Sequence, residues 1–210
     1  MPLTLYTNPQ SRGRIARWMC EEVKEAAGVA YDTVILDYQT TMKAPDYLAI
    51  NPMGKVPAIV HDGTVVTEAA AICAYLGDAF PDAELAPAPG DAARGPYYRW
   101  LFFASGPLEY AVVNRTLGVT QDADRERMVG YGSYDAALNA LDGWLGDHDY
   151  VTGDRFTAAD VFVGSSVGWG MMFGTIPKRP AFEAYAARVL TRAAAVRAKE
   201  IDDALVAGVA

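Results

Sequence analysis

The sequence predicts an α/β N-terminal domain over residues 1–80, a linker over 81–90 and an all-helical C-terminal domain over 91–210. Three observations carry that division. Short apolar runs of strand length alternate with helical periodicity as far as Phe80. The stretch PDAELAPAPG at 81–90 is rich in proline and has no period, which suits a semi-rigid linker. Beyond it the apolar residues recur only at helical spacing, and 210 residues suffice for two small domains, each with a core.

Leu3 to Thr7 is β-prone. From Ile15 through Trp18, Met19, Val23, Ala26 and Ala27 the spacing predicts a helix that Gly28 ends. Tyr31 to Tyr38 holds Val34, Ile35 and Leu36 in an unbroken run, which predicts a strand buried on both faces and completes a βαβ unit. After a looser stretch to Asn51, Val56–His61 and Thr64–Val66 flank Asp62-Gly63, the dipeptide favoured in a two-residue type I′ hairpin. His61, beside that turn, is expected at an exposed strand end. Ala69, Ile72, Cys73, Leu76, Ala79 and Phe80 form a helical stripe stopped by Pro81.

In the second domain Tyr97, Leu101, Ala104 and Leu108 line one helix, which Pro107 should kink. Tyr131, Tyr134, Leu138, Leu141 and Leu145 line the next. Thr157 and Asp160 have the spacing of a capping box, with Phe156 and Val161 at the positions of a hydrophobic staple. Phe182, Tyr185, Ala186, Val189 and Leu190 mark another helix, and Ile201 with Leu205 a terminal one.

Composition bounds the function. With 51% hydrophobic and 21% charged residues the chain reads as an ordinary soluble protein. Eighteen Lys plus Arg against 26 Asp plus Glu leave a charge of -8, which disfavours nucleic acid and anionic membrane surfaces. Cys20 and Cys73 are too few for a disulfide framework, and the start lacks an apolar signal-peptide core, so a cytoplasmic protein is expected. The longest uncharged run, Val161 to Pro177, is diluted by Gly, Ser and Thr and reads as a buried helix, not a membrane span. His61 and His148 have no Cys partner at metal-ligand spacing, so no metal is expected.

Three segments carry chemistry. Asn51-Pro-Met-Gly-Lys-Val-Pro57 constrains the backbone before a strand, as a ligand-pairing edge or simply a loop entering it. Thr67-Glu68-Ala69 opens a helix, where unpaired amides and the positive dipole end attract a carboxylate. Glu68 there can accept an ammonium group, so an α-amino acid would match both; ordinary capping by Thr67 is the plain alternative. Asn8-Pro-Gln-Ser11 leads into the first helix, with Arg12, Arg14 and Arg17 following. Ser11 is either an N-cap or a hydroxyl donor to an anion such as a thiolate, and Tyr6 at the end of the first strand is a rival donor.

In this order the segments LYTNPQSRGRIARWM, NPMGKVP and TEAAAICAYL, with FTAADV further on, resemble the cytosolic glutathione transferase family of bacterial, serine-active-site type. The resemblance implies a thioredoxin-like N-terminal domain, a helical domain contributing an electrophile site, glutathione as cosubstrate and no metal. It also implies a homodimer that conjugates small hydrophobic electrophiles in detoxification, with neither nucleic acid nor membrane as partner. By position, Glu68 would bind the γ-glutamyl ammonium, the Ala69 amide its carboxylate, Val56 the cysteinyl backbone beside a cis Pro57, and Lys55 the glycyl carboxylate. Phe103 and Tyr110 would face the electrophile. Two departures stand. Ala69 occupies a position where many members have Ser, and the RGR after Ser11 is closer to tyrosine-type members, so Ser11, Tyr6 and Asn8 all stay open as the thiolate's partner. A glutathione-dependent peroxidase, isomerase or dehalogenase, or a noncatalytic binding module, would share the fold; the Ser-Ser-Cys run usual in the isomerases is absent.

Overall fold

A computed structural model describes residues 2–119 and 123–208. The chain divides into two compact units, residues 1–86 with 191–210, and residues 87–190.

In the first unit β1 (Leu3–Thr7), α1 (Gly13–Ala27) and β2 (Asp32–Ile35) form the expected βαβ element, with β1 and β2 parallel. A short α2 (Pro45–Leu48) precedes the hairpin of β3 (Ala58–His61) and β4 (Thr64–Thr67), and α3 (Ala69–Ala79) follows. The sheet order is β2-β1-β3-β4, with β3 antiparallel to both of its neighbours, which is the thioredoxin-like arrangement. Gly28 ends α1 in the left-handed conformation, φ 68°. Asp62 and Gly63 both have positive φ, 47° and 81°, as the mirror-image hairpin turn requires.

Two expectations need correction here. All four residues of β2 are exposed, because β2 is an edge strand and its apolar run is not covered on both faces. His61 is only 6% exposed: its Nδ1 lies 3.0 Å from the Tyr75 hydroxyl and its ring 5.0 Å from that of Phe80, so α3 covers the strand end.

The second unit contains α4 (Arg94–Phe103), α5 (Glu109–Thr116), α6 (Ala123–Glu126), α7 (Tyr134–Asp147), α8 (Ala158–Phe173) and α9 (Pro180–Leu190). Tyr97, Leu101, Ala104 and Leu108 are buried as their spacing predicts. Pro107 produces a π-helical turn, Ala104–Leu108, joining α4 to α5: lacking an amide hydrogen, the proline is accommodated by an altered hydrogen-bond register. The α8 capping box forms. Asp160, fully buried, accepts hydrogen bonds from the amides of Thr157 and Val151 and from the Tyr185 hydroxyl, each at 2.9 Å. Burial pushes its carboxyl up to about 6 against the pull of those donors. The glycines of α8 serve close packing: a Cβ on Gly170 would lie 2.5 Å from Ile176, and one on Gly168 2.6 Å from Leu190. Among the described residues no helix is long and apolar enough to cross a membrane.

The terminal α10 (Ala193–Gly208) belongs to the first unit and packs on α1. The expected Ile201/Leu205 stripe is not its buried face. Ala194, Ala195, Ala198 and Asp202 are buried while Ile201 is 36% exposed, because small side chains let α10 approach α1 closely and charge pairs fix the contact. Arg17 and Asp202 pair at 2.7 Å inside the seam, Arg192 meets Glu22 at 2.7 Å, and Arg197 meets Glu21 at 3.2 Å.

Candidate functional site

Strand register assembles the site. Tyr6 stands opposite Ala58 and Ala58 opposite Thr67, so the segment leaving β1, the turn entering β3 and the start of α3 emerge at one end of the sheet. The three sequence segments that carry chemistry therefore converge.

The turn before β3 is held from several sides. Both the Tyr47 hydroxyl, at 2.5 Å, and the Asn51 amide, at 2.8 Å, donate to the Lys55 carbonyl. Lys43 Nζ donates to the Gly54 carbonyl at 2.8 Å, and Gly54 has φ +56° with the Met42 carbonyl 2.8 Å from where a Cβ would sit. The Val56-Pro57 peptide is cis. Val56 is half-buried against the Leu36, Met42, Tyr47 and Ala58 cluster, Pro57 is buried, and Lys55 is exposed. The fixing roles of Tyr47 and Asn51 were not anticipated; Asn51 had a signal, standing at the head of NPMGKVP, whereas Tyr47 had none.

Glu68 is exposed and adopts φ 65°, ψ 120°, a conformation unusual for a residue with a Cβ. That geometry lets the chain turn from β4 into α3 within one residue. The first helical bond runs from the Ile72 amide to the Glu68 carbonyl at 2.8 Å, so by helix geometry the amides of Ala69, Ala70 and Ala71 have no partner within α3. A carboxylate acceptor and a patch of amide hydrogens thus lie one residue apart.

At the end of β1 the Ser11 hydroxyl donates to the Asn8 carbonyl at 2.7 Å and accepts from the Gly13 amide at 2.9 Å. Asn8 is buried: its amide donates to the Leu36 carbonyl and its oxygen accepts from the Gln10 amide, both at 2.8 Å, so it holds the loop together. The Tyr6 ring packs 5.7 Å from that of Tyr47 at the edge of the apolar cluster. Ser11 is half-buried at the helix start, as Tyr6 is at the end of β1.

Behind Ser11, a Cβ on Gly13 would lie 1.9 Å from Thr7 Oγ1 and 2.9 Å from Ser11 Oγ. Thr7 is fully buried and its hydroxyl has no hydrogen-bond partner among the described residues. Gly13→Ala must displace one of the two hydroxyls or the start of α1. Its expected cost is about 1–3 kcal/mol in urea unfolding; unaltered stability would mean that the crowding is relieved elsewhere.

Cys20 and Cys73 are free and fully buried, and burial pushes both thiols up, Cys20 to about 12, so they act as packing residues. In the second unit Phe103 is half-buried with its ring 5.1 Å from that of Trp100, while Tyr110, across the π-helical turn, is 61% exposed. Trp100 itself is core. Among the described residues no three acidic, His or Cys side chains gather to hold a metal ion.

Comparison with known proteins agrees with this geometry. Residues 1–78 match the family model of the glutathione S-transferase N-terminal domain, and residues 121–193 that of the C-terminal domain. Glutathione S-transferase 3 of Zea mays is 31% identical over 76% of this chain and 74% of its own. Glutathione S-transferase GST-4.5 of Xanthomonas campestris pv. campestris is 26% identical over 91% of this chain and 94% of its own. Among solved structures, a sphingomonad glutathione S-transferase complexed with glutathione superposes with a TM-score of 0.77 at 29% identity, covering 95% of this chain and 98% of that one. A strand register that gathers the three segments, in a chain matched at both ends by one family's models, places this protein in the glutathione transferase family.

Proposed function

We propose that the protein binds glutathione at this end of the sheet and joins it, through its thiolate sulfur, to small hydrophobic electrophiles, acting as a cytoplasmic homodimer. The observation that supports the reading is the register that brings the segments after β1, before β3 and after β4 to one end of the sheet. Glu68 accepts the γ-glutamyl ammonium and the Ala69 amide, at the positive end of α3, its carboxylate. The Val56 backbone, beside Pro57, pairs with the cysteinyl unit, and Lys55 reaches the glycyl carboxylate.

Ser11 supplies the chemistry. An unperturbed thiol of pKa about 8.5 is only about 3% ionised at pH 7. Lowering it by about two units ionises about three quarters and requires roughly 2.7 kcal/mol, within reach of one charge-assisted hydrogen bond and a helix dipole. The Ser11 hydrogen turns from the Asn8 carbonyl to the sulfur, while the Gly13 amide continues to donate to the serine oxygen and strengthens it as a donor. The thiolate then attacks the electrophilic carbon, and the leaving group departs with the electron pair.

Calorimetric titration with glutathione tests the site. Glu68→Ala is expected to weaken binding at least about tenfold, as for loss of a charged hydrogen-bond partner. Glu68→Gly should weaken it equally while raising stability by about 1 kcal/mol, because glycine adopts positive φ without strain. Failure of the wild type to bind at millimolar glutathione would refute the reading.

A further inference from the structure

We infer that Asp203, on the last helix, and Arg14 are positioning residues for this reaction, together holding the 8–11 loop where Ser11 meets the sulfur. The inference rests on the Ser11 reading above. It starts from three consecutive carbonyls of the loop, each taken by a side-chain donor: Asn8 by Ser11 Oγ at 2.7 Å, Pro9 by Arg14 Nε at 2.5 Å, and Gln10 by the Tyr38 hydroxyl at 3.1 Å. The middle donor is a cation, and it connects the loop to another element. Arg14 Nη1 meets Asp203 Oδ1 at 2.7 Å.

The link is stiff at each step. Both contacts of Arg14 come from one planar guanidinium, so moving away from Asp203 also misaligns the bond to Pro9. Asp203 is steadied by Lys199, one turn earlier on α10, and these two cations hold its carboxyl below the usual carboxylate range. α10 is in turn anchored to α1 by the buried Arg17–Asp202 pair. At the other end the proline ring fixes φ, which couples the Pro9 carbonyl to the Asn8 peptide, and it is the Asn8 carbonyl that receives the Ser11 hydroxyl. A displacement of Pro9 therefore reaches Ser11 Oγ through one rigid residue. Glutathione affinity is set elsewhere, at Glu68 and α3, so a loosened loop should alter sulfur chemistry more than binding.

Asp203→Asn, Asp203→Glu and Arg197→Gln test this against the wild type. Arg197 pairs with Glu21 and Glu25 about three turns along α1, so its loss loosens the same seam away from the loop. The readouts are calorimetric affinity for glutathione, the thiol pKa of bound glutathione from its ultraviolet thiolate absorbance, and kcat/KM for an activated aryl halide against pH. In Asp203→Asn the bound thiol should rise by about 0.5 to 1 pKa unit and neutral-pH kcat/KM fall about 1.5- to threefold, with affinity within about twofold. Asp203→Glu should recover most of both, and Arg197→Gln should leave the thiol unchanged. A lowered thiol pKa in the wild type that Asp203→Asn does not move, or that Arg197→Gln moves equally, overturns the inference alone. A wild type that leaves the bound thiol at the value for free glutathione overturns the Ser11 reading, and the inference with it.

Discussion

Ser11→Ala is expected to lower turnover at neutral pH by about 10- to 30-fold while leaving glutathione affinity within about twofold. The upper size follows from ionisation: loss of the whole shift, from about three quarters to about 3% thiolate, is about 25-fold, and the share kept by the helix dipole reduces it. The affinity is spared because the γ-glutamyl anchor proposed here is Glu68, at the N-cap of α3. Raising the pH to about 9 should recover most of the deficit, since the free thiol then ionises unaided. Tyr6→Phe provides the contrast. Its ring packs toward Tyr47 at the edge of the apolar cluster, so turnover should change by less than about threefold. Steady-state rates at several pH values, with calorimetry in parallel, decide the matter; equal turnover in Ser11→Ala and a large loss in Tyr6→Phe would transfer the role to the tyrosine.

Asp160→Asn is expected to destabilise the protein by about 3 kcal/mol. Its carboxylate receives two backbone amides and a tyrosine hydroxyl in a fully buried position, and an asparagine would turn an NH₂ group toward one of those donors. The pH dependence has a definite sign. With its folded-state pKa raised to about 6, Asp160 holds more proton in the folded than in the unfolded chain between the ordinary carboxylate value and about 6. Its contribution to stability therefore falls as pH rises through that window and is level above it. Asn has no such titration, so the deficit of the variant should widen from pH 7 toward pH 5 in urea unfolding curves. A deficit that narrows would mean that the donors, not burial, govern the carboxyl.

Much of this was legible in the residues because local chemistry determines it. Gly28, Asp62-Gly63 and Thr157 with Asp160 each end or start an element by backbone conformation or capping, and each does so here. The convergence of the 8–11, 51–57 and 67–69 segments was legible only through resemblance, since strand register is a tertiary property. What could not be read were the consequences of place. The apolar run of β2 looked the same whether central or at the edge, and His61 looked exposed until α3 lay over it. The face of α10 was hidden for a different reason: alanines and an aspartate carry no hydrophobic signal, and the partners of that aspartate lie far back in the sequence. Arg14 reads from the sequence as positive charge near Ser11, but spacing does not reveal its bond to Asp203.

The return of residues 191–210 to the first unit makes that unit discontinuous along the chain, whereas residues 87–190 are contiguous. During synthesis, which proceeds from the N-terminus, the helical unit can close as soon as it has emerged, but the first unit lacks α10 until residues 193–208 have followed. Until then Arg17, which the folded protein encloses with Asp202, has no counter-charge from α10. The order of synthesis thus leaves the unit that bears Ser11 to be completed last, by the segment that also tethers its loop.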